Sequence, residues 1–169
     1  MDLLKGKNIV ITGASSGIGK ALSIEASKCG ANLVLASRQI DQLEAIKSEI
    51  SNPVSTIFCI QTDVTSQKEC ENLIHLAKQK LGSIDVLINN AGISMRAAFD
   101  EVETRVLEEI MNVNFWGTVY CTKAAISSLL ESKGSLVAVS SVTGFKGLPG
   151  RTGYASSKFA INGLFESIR

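Results

Sequence analysis

The chain has no long apolar run. No stretch approaches the ~18 uninterrupted apolar residues of a membrane-crossing helix, so no membrane association is expected. The opening MDLLKGKNIVITG is too short in its apolar part for a secretory leader and runs into a glycine loop. Charge of one sign is also lacking. Seventeen Lys and Arg face sixteen Asp and Glu, for a net charge of +1, and no basic block offers a nucleic-acid surface. Aromatic residues make up only 5%, which argues against a base-stacking platform. Cys29, Cys59, Cys70 and Cys121 are widely spread, without a CxxC pair or zinc spacing. They read as buried or incidental thiols in a reducing compartment. A cytoplasmic location is the resulting expectation. His75 is the lone histidine and lies in a charged segment. It reads as structural or solvated.

What remains is an ordinary globular balance, 45% hydrophobic and 20% charged over 169 residues, which suits a single domain spanning 1–169. Short β-rich runs alternate with longer stretches of helical spacing. The runs at 8–12, 32–37, 54–63, 84–90 and 134–141 are expected strands. Helices are expected over 17–30, 40–51, 66–82 and roughly 101–131, with a final one starting near Thr152. Asn52-Pro53 is expected to stop the second helix. Ser66 is the expected N-cap of the third, with Glu69 at capping-box spacing. Alternation of this kind predicts an α/β fold, a doubly wound parallel sheet of Rossmann type.

TGASSGIG, Thr12 to Gly19, follows the first strand and opens a helix. Gly13, Gly17 and Gly19 allow close backbone approach, and the free N–H groups at the helix start suit a phosphate. No Gly-Lys-Ser/Thr follows, so this is not a Walker A loop. The alternative is a tight turn serving only helix–strand packing. About twenty residues on, the second strand ends in Ser37 and Arg38. A carboxylate there would hydrogen-bond an adenosine ribose; an arginine pairs instead with a 2′-phosphate. NADP(H) is therefore the preferred cofactor, with NAD(H) the alternative if Arg38 is only a solvated surface residue.

YASSK places Tyr154 and Lys158 four residues apart, on one helical face. An unperturbed phenol titrates near pH 10. A nearby ammonium favours the phenolate, poising the group for acid/base work. Ser141 ends the fifth strand and should face the crevice at the strands' carboxyl ends, where its hydroxyl can hold a substrate oxygen. Ser140 should point to the other side. NNAG, 89–92, closes the fourth strand at the same edge.

Together, TGASSGIG, NNAG, MNVNFWG, VSSVTG and YASSK, in this order, resemble the short-chain dehydrogenase/reductase (SDR) family over nearly the whole chain. The resemblance implies an oxidoreductase that transfers hydride between a nicotinamide and a small-molecule carbonyl or alcohol. It implies that Tyr154 exchanges the substrate proton. Lys158 would lower its pKa and bond the nicotinamide ribose. Ser141 would orient the substrate oxygen, and Asn114 would hold a relay water. It places Asp63 and Val64 against the adenine, and Asn90, Ala91 and Gly92 along the cofactor path. Gly13, Ser15, Ser16, Ile18 and Gly19 would surround the phosphates, with Gly17 shaping the loop. Asn114 and Asp63 keep plainer readings, a helix-interior amide and a turn residue. The family pattern also implies further strands after the Tyr154 helix, which is expected to be cut at FESIR, and a homodimer or homotetramer in the full-length form. The chain is then a C-terminally truncated fragment with an edge at its fifth strand. The competing expectation is a nucleotide-binding fragment without turnover.

Overall fold

The computed structural model describes residues 3–50 and 54–169. It contains one parallel sheet of five strands, β1 (Asn8–Thr12), β2 (Asn32–Ser37), β3 (Ile57–Gln61), β4 (Val86–Asn89) and β5 (Ser135–Ala138), in the order β3-β2-β1-β4-β5. The order reverses at β1, between β2 and β4, so a crevice opens beyond the carboxyl ends of β1 and β4. The expected strand positions hold, with ends trimmed by up to three residues. The proposed stop at Asn52-Pro53 lies outside the described residues.

β1 is buried along its whole length because both faces are covered. Ile9 and Ile11 pack with Leu33 and Leu35 of β2 against α1 (Gly17–Lys28) and α2 (Ile40–Glu49). Val10 and Val34 point the other way, into a core with Cys70, Leu73 and Ala77 of α3 (Gln67–Leu81). Cys121, Ala125 and Leu129 complete that core from α5 (Gly117–Ser132). Alternate residues of one strand thus feed two cores. The Ser66 hydroxyl caps α3, accepting from the Glu69 N–H at 3.3 Å. The Glu69 carboxylate does not close the reciprocal box; it accepts the Asp63 N–H at 2.7 Å. The cap thereby also fixes the loop after β3.

The stretch expected as one helix over 101–131 divides into three. α4 (Thr104–Ile110) leads into a widened π-type turn, Met111–Trp116, and then α5. Residues 101–103 are outside the helix. Where α5 begins, Gly117 lies under Val64, and an added Cβ would come within 2.8 Å of the valine Cγ2. α6 (Thr152–Ser167) packs on α4 and the widened turn, burying Gly153, Ala155, Ser157, Lys158 and Ile161. β5 pairs only with β4 among the described residues, and Val137 is 40% exposed. Among the described residues no helix is long and apolar enough to cross a membrane.

Candidate active site

A cleft of about 420 Å³ lies beyond the carboxyl ends of the strands. Most residues expected to bind the cofactor line it: Gly13, Ser15, Ser16, Gly17, Ile18, Ser37, Arg38, Asp63, Val64, Asn90, Ala91, Gly92, Tyr154 and Lys158. Gly19 does not; it is buried behind the loop, and a Cβ there would sit 2.3 Å from the Gly13 carbonyl oxygen. It packs closely against the loop backbone and the Asn90 amide.

The floor is knitted by two residues. The Asn90 amide donates to the carbonyls of Thr12 and Gly13 at 2.9 and 3.0 Å. The Thr12 hydroxyl accepts from the N–H groups of Asn90 and Ala91, both at 3.1 Å. The phosphate loop and the end of β4 therefore form one unit. Thr12 was not among the sequence candidates; its hydroxyl at the end of the strand, directly after the apolar run Ile9–Ile11, was the available signal. Gly13 has φ +64° and Gly17 φ +52°, conformations that favour glycine. Ser16 precedes α1 but makes no side-chain cap bond, so the start of this twelve-residue helix lies at the cleft without a side-chain cap among the described residues. That arrangement fits a phosphate.

At the far end, the exposed Arg38 forms no ion pair among the described residues. Its backbone is held on both sides. Gln61 donates to its carbonyl at 3.2 Å, and the Ser37 hydroxyl accepts the following Gln39 N–H at 3.1 Å. Gln39 also lines the cleft, near Ser15, whose hydroxyl is 3.5 Å from the Gln39 carboxamide oxygen. Asp63 spends one carboxylate oxygen on the Thr65 N–H and hydroxyl, at 3.0 and 2.8 Å, an Asx-type turn at the cleft wall. The cleft and the uncapped helix start fit a dinucleotide, with the Arg38 guanidinium at its far end.

At the other end sit Tyr154 and Lys158. The Lys158 ammonium lies 5.6 Å from the Tyr154 ring centroid and donates to the Val139 carbonyl at 2.7 Å. Lys158 is only 4% exposed, and burial pushes its pKa below the ordinary lysine value. The unfolded chain then holds this proton more tightly, so the group adds stability as pH rises toward the ordinary lysine range. Expected outcome: the Tm difference between the parent and Lys158→Met changes in the parent's favour between pH 8 and pH 10, measured by thermal melts at both values. A pH-independent difference would show that the buried amine does not titrate abnormally.

Asn114 and Ser141 do not line the cleft. Asn114 is fully buried in the widened turn. Its amide donates to the Ile93 carbonyl at 3.0 Å and the Ser157 hydroxyl at 2.9 Å, and its Oδ1 accepts the Ile93 N–H at 2.8 Å. Both amide hydrogens are consumed in joining the loop after β4 to α6. The Ser141 hydroxyl accepts the Thr143 N–H at 3.2 Å, starting the short 3₁₀ turn Val142–Gly144. Ser140 bonds Asn162 of α6 at 2.7 Å, so the two neighbouring hydroxyls separate. Thr62, Ile93, Ser94, Val113 and Val139 also line the cleft without having been singled out, because they are ordinary residue types brought there by the strand ends. His75 is exposed on α3 and does not line the cleft. No group of three metal-ligating side chains occurs among the described residues.

Comparison with known proteins agrees with this fold. Residues 7–169 match the family model for short chain dehydrogenase. The chain is 42% identical to the 3-ketodihydrosphingosine reductase of Mus musculus over 98% of its own length, covering 52% of that protein. It is 36% identical to the 11-beta-hydroxysteroid dehydrogenase-like 4A of Arabidopsis thaliana over 99% of its length, covering 57% of that protein. It thus spans about half the length of these curated relatives. An alcohol dehydrogenase from Thermococcus sibiricus, solved with 5-hydroxy-NADP, superposes with TM-score 0.93 at 29% identity, over 97% of this chain and 70% of that one. A short chain dehydrogenase/reductase from Burkholderia phymatum, solved with NAD, gives TM-score 0.93 at 26% identity, over 98% and 59%. With its motifs, strand order and family match in agreement, the chain belongs to the short-chain dehydrogenase family.

Proposed function

We propose that this chain carries the coenzyme site and proton-transfer groups of an NADP(H)-dependent oxidoreductase that interconverts a carbonyl and an alcohol. The observation that carries the reading is convergence: the uncapped start of α1, the Arg38 guanidinium and the Tyr154–Lys158 pair all line one cleft.

When bound, the nicotinamide supplies or accepts the hydride. The chain's own groups do the rest. The N–H groups at the start of α1 hold the pyrophosphate, and Arg38 pairs with the 2′-phosphate. Asp63 and Val64 border the adenine, and Asn90, Ala91 and Gly92 line the path between the two ends. Tyr154 gives its phenolic proton to the carbonyl oxygen during reduction, or takes it during oxidation. The Lys158 ammonium sets a positive charge beside that phenol and bonds the nicotinamide ribose. Ser141 starts its turn just outside the cleft lining and keeps its O–H to donate to a substrate oxygen that extends beyond the coenzyme space. Asn114 frames the site, with a water completing the path to Lys158. Two relatives named as 3-ketodihydrosphingosine reductases, from Mus musculus and Bos taurus, put an aliphatic ketone first among candidate substrates. A cytoplasmic setting belongs to the same reading, supported by four free thiols. So does association of the full-length form into a dimer or tetramer, supported by exposed Trp116, Leu130 and Phe159.

The test is a fluorescence titration with NADPH and NADH. NADPH is expected to bind more tightly, and Arg38→Ser to weaken NADPH by about 10–100-fold, the range of one charged hydrogen-bonding group, with NADH unchanged. An equal loss for both coenzymes would sink the 2′-phosphate assignment. The second reading is a nucleotide-binding chain without turnover, favoured by the open side of β5. A carbonyl panel of 3-ketodihydrosphingosine, a steroid ketone, cyclohexanone and a short aldehyde separates the two, since binding without turnover supports the second.

A further inference from the structure

The first turn of α6 carries Tyr154 but has no side-chain cap of its own: Arg151 occupies the capping position and makes no cap bond. The Thr152 hydroxyl beside it is buried with no hydrogen-bond partner among the described residues. A helix start in that condition needs fixing from outside. Arg151 supplies it. One guanidinium nitrogen donates to the Ser94 hydroxyl at 2.6 Å and to the Met95 carbonyl at 3.0 Å. One residue earlier, the Gly150 carbonyl accepts the Ala97 N–H at 3.1 Å. One turn later, the Arg151 carbonyl accepts the Ala155 N–H at 2.7 Å. The loop after β4, whose Ser94 lines the cleft, is thus tied to the capping residue of α6, three positions before Tyr154. Arg151 makes no ion pair among the described residues. Its side-chain hydrogen bonds among the described residues go to neutral oxygens of that loop.

We propose that Arg151 is a positioning residue for the proton transfer, holding the start of α6, and with it Tyr154, in register with the cleft loop at Ser94 and Met95. The proposal rests on the reading of Tyr154 as acid/base. Arg151 itself touches neither substrate nor coenzyme. Its loss lets the uncapped turn shift, and displacement of a reacting group by about 1 Å costs on the order of 100-fold in rate. The coenzyme floor, built by Thr12 and Asn90, is independent of it.

The experiment is steady-state kinetics of Arg151→Ala, Arg151→Lys, Ser94→Ala and Tyr154→Phe, with the panel carbonyl that the parent turns over fastest. Rates are normalised to NADPH sites counted by titration. Arg151→Ala is expected to lower kcat by about 10–100-fold, with KM for the carbonyl and Kd for NADPH within about twofold. Arg151→Lys, which reaches one acceptor but not both, should recover part of the loss. If Arg151→Ala does not fold, Ser94→Ala and Arg151→Lys carry the test, each expected to lower kcat severalfold. Parental kcat in every folded variant at these two positions, beside an inactive Tyr154→Phe, overturns the proposal and leaves the acid/base reading standing. A parallel loss of NADPH affinity and kcat also overturns it, since that marks a general structural role. If Tyr154→Phe keeps parental turnover, the acid/base reading falls and the positioning proposal falls with it.

Discussion

Tyr154→Phe is expected to lose turnover by about 10²–10⁴-fold, the usual contribution of a positioned acid/base group, while NADPH binds within a few-fold of the parent. The substitution removes one oxygen and the transferable proton. It leaves the ring, which lies 5.6 Å from the Lys158 ammonium, and so keeps the cation–aromatic contact. Lys158 has its own anchor on the Val139 carbonyl, and the phosphate loop is held by Asn90 and Thr12. Neither depends on the phenol oxygen. The measurement pairs single-turnover reduction with an NADPH titration on the same preparation. Turnover within threefold of the parent would remove Tyr154 from the chemistry. A comparable loss of binding would make it a coenzyme ligand instead.

Gly13→Ala is expected to cost about 2–5 kcal/mol in stability, combining the left-handed backbone penalty with overpacking, and to abolish NADPH binding at accessible concentrations. The added Cβ would lie 2.7 Å from the Ala91 Cα and 2.9 Å from the Ala91 nitrogen. Both are backbone atoms of the β4 end, which cannot yield by changing rotamer. The strain therefore passes to Thr12 and Asn90, which clamp the same two segments. Gly17→Ala is the internal comparison. Its φ is also positive, +52°, but nothing lies within 4 Å of the new Cβ, so only the backbone penalty of about 1–2 kcal/mol applies. Urea unfolding of both variants reads the difference. Equal destabilisation would mean that the close approach to Ala91 does not constrain the loop.

These two residues mark where local chemistry speaks plainly. A glycine at a strand-to-helix turn and a Tyr-x-x-x-Lys pair on a helix carry their geometry in a handful of neighbouring residues. The strands were legible for a similar reason: apolar runs bounded by Gly, Asn and Ser report burial on both faces of a parallel sheet. Arg38 was legible from its place after β2, and the structure adds the Gln61 and Ser37 contacts that hold its backbone. Asp63 was found at the cleft wall, although its carboxylate is turned toward Thr65.

The sequence alone thus determined the strand–helix alternation, the glycine loop, the charge beyond β2 and the spacing of Tyr154 and Lys158, because each depends on residues adjacent along the chain. Tertiary structure alone decided the widened turn at Met111–Trp116, whose residues read as ordinary helix, and the use of both Asn114 amide hydrogens on Ile93 and Ser157. It also decided that Ser141 starts a turn outside the cleft lining, and that Arg151 reaches Ser94 across 57 residues. Such contacts join segments whose separation is set by packing of the whole sheet, and no local pattern of residue types encodes that distance.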